Sequence, residues 1–337
     1  MSIEIIYYPE IASKGNLRKH LVGLGFQPCN HLWNWPKESL HFWWFEASQY
    51  KSFDGIEATI YPKGDKERES YPRGDWALHT RTRASASPGD REYQNLVIRT
   101  ARKKFGGEFI NDWYGRNRYI PIESDRRDAV ARGIYLSYEH VISKISAVKF
   151  ALPNPNEGFE KLVGTKFETL ATADPVRVLY NALVPFAVAA IEHFFSQSFK
   201  ILLKYDEKAQ ERLRQQSRKI EIPDVLSIRD GKKTIEDVVA DWYSFQRITS
   251  IHAAFNEWFG INFWNLLRRR KKIGKRMLLL EKRLNQLIEF RHGLVHRFEL
   301  DLELRRKDLE EILELVVALI DIFVDELERR RKIPIRD

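Results

Sequence analysis

The amino-acid sequence predicts an α+β N-terminal domain over residues 1–160, followed by an all-α helical bundle over residues 161–337. The first part holds six of the nine tryptophans and most of the short alternating segments. Beyond about residue 176, long segments carry apolar residues at three- and four-residue spacing. Prolines and a glycine punctuate the chain between residues 153 and 175, which places the domain boundary near residue 160.

Three segments of the N-terminal domain have the composition of β-strands. Residues 40–46, 56–61 and Trp76–Arg83 are rich in aromatic or β-branched residues and are bounded by turn formers. An amphipathic helix is expected over residues 91–105, where a glycine pair ends it, and another over residues 125–149. Strands and helices in this order indicate an α+β domain.

The C-terminal part is expected to be a bundle of helices. Their expected ranges are 176–204, 206–218, 233–250, 251–268, 275–296 and 303–331. The last helix has a continuous apolar stripe and a basic run at its C-terminal end, where the helix dipole favours cations.

Composition excludes several classes of protein. A single cysteine, Cys29, excludes an intramolecular disulfide and a cysteine-built zinc site, and favours a reducing, cytoplasmic setting. The stretch 312–324 is apolar, but it is too short and too charged to cross a bilayer, and no secretory signal is visible. No histidine pair has metal-ligand spacing and no Gly-rich phosphate loop is present, so neither a metal nor a cofactor is expected.

Arg291 is the residue that departs most clearly from its surroundings. It follows Leu284 and Leu287 on the apolar stripe of a helix, so it occupies an inward-facing position. Burying a guanidinium costs several kcal/mol unless it is paired. Arg291 therefore needs an acidic partner, a cleft, or a subunit boundary where it meets a ligand. His296 lies five positions later, roughly 140° around an ideal helix, so a local distortion would help both to face one cleft.

The string R-H-G-L-V-H over residues 291–296 resembles the R-x4-6-H motif of HEPN domains, because it ends a helix that one more long helix follows. The resemblance covers residues 176–331. Many HEPN domains have asparagine or another polar residue directly after the arginine, where this chain has His292. The resemblance implies a helical bundle that dimerises so that two motifs line a cleft, often cutting RNA without a metal.

The chemistry implied by the resemblance suits these residues. A histidine such as His296 can accept the proton of a ribose 2′-OH, and His292 is a second proton carrier. The planar fork of Arg291 matches the phosphoryl group and can stabilise its developing charge. The expected products are a 2′,3′-cyclic phosphate and a 5′-hydroxyl. HEPN nucleases serve in defence and toxin–antitoxin systems, so an antitoxin, a phage product or a ligand could be the activating or inhibiting partner.

Three alternatives remain open at this point. Arg291 could pair with Glu192 or another core acid, leaving His292 and His296 as ordinary residues at a helix end. Glu192 itself could orient the arginine or a histidine of the motif, or simply face solvent. The bundle could also belong to a non-catalytic dimer that binds nucleic acid or a partner protein.

The net charge of +9 favours polyanionic partners such as RNA. A basic run directly before the motif-bearing helix is either a phosphate-binding ridge or a solvated loop. Its members are Arg268, Arg269, Arg270, Lys271, Lys272, Lys275 and Arg276. In the strand Trp76–Arg83, alternation places Arg81 and Arg83 on one face, which predicts a basic surface. A second set could join that surface: Arg99, Arg102, Lys103, Lys104, Arg116, Arg118, Trp113, Tyr114 and Tyr119.

Overall fold

The computed structural model describes residues 1–336 except 31–34, 155–156, 162–164, 167–173, 274–275, 298 and 302. The chain divides into two compact units, Met1–Ala129 and Val130–Asp337. The boundary expected near residue 160 therefore falls inside the second unit. The reason is that the helix before it is tied to the last helix, since Tyr138 donates to Asp321 and Lys149 to Glu314, each at 3.0 Å.

The first unit is built on a seven-stranded antiparallel sheet in the order β2-β3-β4-β5-β1-β6-β7. The strands are β1 (Ser2–Tyr8), β2 (Gln27–Pro28), β3 (Leu40–Trp44), β4 (Ile56–Pro62), β5 (Trp76–Arg83), β6 (Glu108–Asn111) and β7 (Gly115–Arg116). The helices are α1 (Lys14–Gly23), α2 (Asp65–Ser70) and α3 (Pro88–Phe105), with a 3-10 turn at Ser48–Tyr50.

The three predicted strands are present, and the α+β class of the N-terminal part is confirmed. Strand β5 has the predicted bounds, β4 is one residue longer and β3 two residues shorter. Strand β1 was missed, although Ile3, Ile5 and Tyr7 alternate into the core. Helix α3 begins three residues before the predicted start, because the Ser87 hydroxyl accepts from the Asp90 N–H and caps it.

The second unit is mostly helical. Its helices are α4 (Ala129–Ala151), α5 (Glu157–Glu160), α6 (Pro175–Tyr205), α7 (Glu207–Arg214), α8 (Ile222–Arg229), α9 (Ile235–Ala240), α10 (Ile248–Phe259), α11 (Phe263–Leu267), α12 (Leu280–His292) and α13 (Arg306–Arg331). The expected helix over 251–268 is interrupted, because Gly260 takes a left-handed conformation and ends α10. The range 233–250 holds the short α9 and the start of α10, and α8 was not predicted.

The C-terminal part is helical as predicted, but it is not all-α, because the basic run forms a β-hairpin. Strands β8 (Arg270–Ile273) and β9 (Arg276–Leu279) pair antiparallel. The expected helix over 275–296 therefore starts only at Leu280. Along β8, exposed Arg270 and Lys272 alternate with the less exposed Lys271 and the buried Ile273, which is the two-residue period of a strand.

Helix α6 forms the centre of the second unit. Fully buried Phe195 makes edge-to-face contacts with Phe263 of α11 and Phe323 of α13, each with ring centroids 5.1 Å apart. By length and composition alone, α6 could cross a membrane, because an 18-residue window within it has a mean hydropathy of 1.5. In the folded chain, 44% of that window is buried. It is a stronger span candidate than the stretch 312–324 considered from the sequence. A core helix surrounded by neighbours has the same composition.

Glu326 of α13 is a buried carboxylate, 4% exposed, that holds three arginines. Its oxygens accept from Arg329 at 2.6 Å, from Arg330 at 2.7 Å and from Arg269 of the basic run at 3.4 Å. The hydrogen bond from Arg329 is the largest cause that lowers the pKa of Glu326, from its usual 4.5 to about 2. The basic end of α13 is thus tied to a buried acid.

We predict that Glu326→Gln destabilises the second unit by about 2 kcal/mol at neutral pH, because the buried carboxylate loses its charge and its charge-assisted hydrogen bonds with partly exposed guanidinium groups. The folded pKa lies below the unfolded one, so the stabilisation is complete above the unfolded pKa and is lost as pH falls toward 2. Urea denaturation at several pH values measures the difference.

Glu310→Gln is the matched control, because Glu310 lies on the same helix and pairs with Arg306 at a half-exposed site, at 2.9 Å. Its expected cost is below about 1 kcal/mol. Equal losses in the two variants, or a Glu326→Gln loss that grows as pH falls, would contradict this assignment.

Candidate functional site

The segment 291–296 lies where α12 changes its helical geometry. Helix α12 runs to His292 and continues as a single turn of π-helix, Gly293–Arg297. A π turn closes hydrogen bonds between residues five apart, so such residues come closer to one face than in an α-helix. This is the kind of local distortion that Arg291 and His296 need in order to face one cleft.

Two histidines lie four residues apart across the start of the π turn, a spacing that places side chains next to each other on a helix. The imidazole rings of His292 and His296 have centroids 4.5 Å apart and are inclined by 45°. Both side chains are exposed, so a substrate can reach them. Two adjacent imidazoles at an open surface are suited to accept one proton and donate another in the same reaction.

Arg291 is half-buried and directly precedes His292 in the chain. Within the part of the chain that the structure describes, it makes no hydrogen bond or ion pair with a carboxylate. The alternative in which Arg291 pairs with Glu192 is therefore not what the structure shows. Glu192 instead accepts a hydrogen bond from Gln246 at 2.8 Å. A partly desolvated guanidinium without a counter-charge is the chemical feature expected of an anion-binding group.

The neighbouring arginine behaves differently. Arg297 pairs with Glu299 at 3.2 Å, and the two side chains lie over Gly293. A Cβ atom at Gly293 would stand 3.2 Å from Nη2 of Arg297 and 3.3 Å from Oε2 of Glu299. The glycine thus leaves room for this ion pair, and Arg291 remains the cation of the segment without a carboxylate.

Asn181 of α6 fixes the chain that follows the π turn. Its side chain is fully buried, Nδ2 donates to the Asp301 carbonyl at 3.0 Å, and Oδ1 accepts from the Asp301 N–H at 2.9 Å. Sequence reasoning missed this residue. The available signal was a polar side chain on an apolar helix, the same signal that drew attention to Glu192.

The basic run lies at the other end of α12 from the motif. With 13 residues in α12, the separation is about 20 Å along the helix. Arg269 pairs with Glu326, and Lys271 lies 3.9 Å from Asp325. Three exposed cations of the run make no ion pair within the described part of the chain, namely Arg268, Arg270 and Lys272. Lys275 lies outside the described residues, and Arg276 begins β9.

The basic face predicted on β5 is largely neutralised. Arg81 lies between two carboxylates of the neighbouring strands, 3.5 Å from Glu4 and 3.6 Å from Glu57. Arg83 lies 3.7 Å from Asp54. A hydrogen bond with His79 is the largest cause that lowers the pKa of Glu4 to about 2. These arginines are therefore poor partners for phosphate in this arrangement.

No group of three or more histidine, cysteine or acidic side chains is placed to hold a metal ion among the described residues.

A family model described as RiboL-PSP-HEPN matches residues 159–329, which is just over half of the chain and includes the segment 291–296. The chain belongs to the RiboL-PSP-HEPN family. The predicted HEPN resemblance of the C-terminal half is thereby confirmed. Comparison of the chain with curated proteins and with solved structures gives no match.

Membership in the RiboL-PSP-HEPN family indicates a nuclease or another function connected with nucleic acids. The segment 291–296 lies inside the matched region, at the end of a helix that α13 follows.

We predict that Asn181→Leu loosens the loop between the π turn and α13, because it removes both hydrogen bonds that hold the Asp301 backbone to α6. The expected cost is about 1–3 kcal/mol. Hydrogen–deuterium exchange of a peptide covering this loop should become faster under native conditions.

Asn262→Ala serves as the control, because Asn262 caps α11 and its loss costs about 1 kcal/mol elsewhere in the same unit. It should lower stability without a selective change at the loop. If exchange at the loop rises equally in both variants, the anchoring role of Asn181 is refuted.

Proposed function

We propose that this RiboL-PSP-HEPN protein is a metal-independent RNA endonuclease in which Arg291 and His296 are the catalytic pair. The observation that carries the proposal is the half-buried Arg291, unpaired by any described carboxylate, directly before His292, whose ring contacts that of His296. An arginine of this kind attracts a phosphodiester, and the two histidines supply proton transfer.

The reaction follows from these groups. His296 accepts the proton of the ribose 2′-OH, and the 2′-oxygen attacks the adjacent phosphorus. The bond from phosphorus to the 5′-oxygen breaks, and protonated His292 gives its proton to that leaving oxygen. Arg291 stabilises the negative charge that grows on the non-bridging oxygens. The products are a 2′,3′-cyclic phosphate and a 5′-hydroxyl, and DNA is not cut because it lacks the nucleophile.

A homodimer is part of the proposal. HEPN resemblance implies two copies of the motif in one cleft, and two exposed apolar side chains next to the motif support a surface that a second copy covers. Val295 is 39% exposed and Leu300 is 43% exposed. In a defence or toxin–antitoxin setting, an antitoxin, a phage product or an activating ligand would act on this dimer in the cytoplasm.

A second candidate function is non-catalytic binding of nucleic acid by a HEPN dimer. The observation that favours it is the basic hairpin, where Arg268, Arg270 and Lys272 are exposed without an ion pair in the described part of the chain, about 20 Å from the motif. Such a surface would bind phosphates whether or not the motif cuts.

We predict that the purified protein cleaves a bulk tRNA pool in EDTA and that Arg291→Ala and His296→Ala each reduce the rate by at least about 100-fold. His292→Ala should reduce the rate less, because water can protonate a leaving oxygen. Gel electrophoresis with end-group analysis measures both the rate and the cyclic phosphate.

His140→Ala is the matched control, because His140 is an exposed histidine on α4 of the same unit. The His140→Ala variant should cleave RNA at the wild-type rate. RNA that stays intact with wild type in the presence of candidate activators, while binding remains tight, would favour the non-catalytic function. Cleavage that survives both motif variants would reject Arg291 and His296 as the catalytic pair.

A further inference from the structure

The first unit carries positive charges of two kinds, and only one kind is neutralised. Four arginines of its sheet and loops each lie close to a carboxylate: Arg73 near Glu10, Arg81 near Glu4 and Glu57, Arg83 near Asp54, and Arg116 near Glu108. The cations on helices α1 and α3 have no such neighbours among the described residues. This asymmetry separates a neutralised surface from a basic one.

Helices α1 and α3 lie side by side on the same hydrophobic core. His20 of α1 contacts the Val97 carbonyl and the Thr100 hydroxyl of α3, each at 3.3 Å. Leu17 and Leu21 of α1 share this core with Val97 of α3. The outward sides of the two helices therefore form one surface, which we call the α1–α3 face.

The exposed cations of the α1–α3 face are Arg18, Lys19, Arg99, Lys103 and Lys104. Helix α1 contains no acidic residue, and the acids of α3, Asp90 and Glu92, lie in its first two turns. Asp90 is buried in the N-terminal cap. The basic end of α3 is thus left without a counter-charge on either helix.

The face continues onto the segment after β7. The Asn95 side chain of α3 exchanges two hydrogen bonds with Ile120, at 2.8 and 3.0 Å, which holds this segment against α3. Exposed Arg118 adds a further cation there. The Tyr119 ring centroid lies 5.3 Å from the Arg99 guanidinium, and this cation–π contact limits the motion of the Arg99 side chain.

Like charges four residues apart, as in Arg99 and Lys103, weaken a helix unless an anion lies near them. A polyanion removes that repulsion and gains from counterion release. Val22 of α1 is 49% exposed, but the leucines of α1 and the other large apolar residues of α3 are buried or partly buried, so this face lacks the exposed aromatic and leucine side chains of helices that insert into membranes. A nucleic-acid backbone fits this face better than a lipid surface does.

We propose that the α1–α3 face binds the sugar–phosphate backbone of RNA through Arg18, Lys19, Arg99 and Lys103. The choice of RNA rests on the proposed function of the motif, whereas the binding of a phosphate backbone rests on the face itself. Recognition here is independent of base sequence, because it pairs cations with phosphates and not with base edges.

The test uses the full chain, a fluorescent 2′-O-methyl RNA that cannot be cut, and anisotropy titrations over a series of salt concentrations. One variant combines Arg18→Gln, Lys19→Gln, Arg99→Gln and Lys103→Gln. The matched control combines Arg73→Gln, Arg81→Gln, Arg83→Gln and Arg116→Gln, which removes the same number of charges from ion-paired sites of the same unit.

The variant of the α1–α3 face should bind RNA at least about tenfold more weakly, and its slope of log K against log salt should fall by about 3 relative to wild type. The matched control should keep the wild-type slope within about 1. Thermal unfolding of the face variant should resemble wild type, because its substituted side chains are exposed.

Equal slopes in wild type and the face variant would overturn the proposal. The proposal would also be overturned if the wild-type protein did not bind RNA. Binding to vesicles rich in phosphatidylserine in place of RNA would identify a lipid surface as the partner. The result is independent of cleavage: the same loss of slope in an Arg291→Ala background supports the face even if the motif never cuts RNA.

Discussion

Helix α6 must bury a long apolar face, and the second unit is arranged to satisfy that requirement. Phe194, Phe195 and Phe199 are fully buried and meet aromatic rings from α10, α11 and α13. A polar group on the buried face of α6 is costly unless it finds an internal partner. Asn181 meets that need by bonding the backbone of Asp301, and Glu192 meets it through Gln246.

The packing around α6 positions the segment 291–296. Asn181 holds the chain that leaves the π turn, while α12 packs against α6 on the side that enters it. The turn is therefore fixed at both ends, and the His292 and His296 rings are held next to each other. Arg291 is partly desolvated by the same packing, which increases its attraction for an anion.

Pairing with carboxylates separates the structural arginines from those available to a ligand. Glu326 holds Arg269, Arg329 and Arg330, so much of the basic sequence at the end of α13 serves stability. Arg291 and the cations of the α1–α3 face have no such partner within the described residues. Net charge alone does not distinguish these two groups.

Local patterns predicted the elements whose signals are local. Strand Trp76–Arg83 and the capped helix α3 follow from composition and turn residues. The motif was found because an arginine interrupts an apolar stripe. The neutralisation of Arg81 could not be predicted, because it depends on β5 lying between β4 and β1, which brings Glu57 and Glu4 from distant parts of the sequence.

The basic hairpin was missed for a related reason. The run from Arg268 to Lys272 has none of the β-branched or aromatic residues that mark a strand. Strand β8 instead pairs with β9 and packs against α13, and neither contact is visible in the local sequence. The boundary expected near residue 160 differs from the division at Ala129 because helix α4 bonds to α13, a contact that no local pattern reveals.

The most direct test of the motif as an RNA site is NMR of the histidine ring signals during titration with a 2′-O-methyl RNA. The signals of His292 and His296 should shift on binding, whereas the His140 signal should stay unchanged, and Arg291→Ala should abolish the shift. If the protein becomes saturated with RNA while the His292 and His296 signals remain at their original positions, RNA binds elsewhere and the catalytic assignment fails.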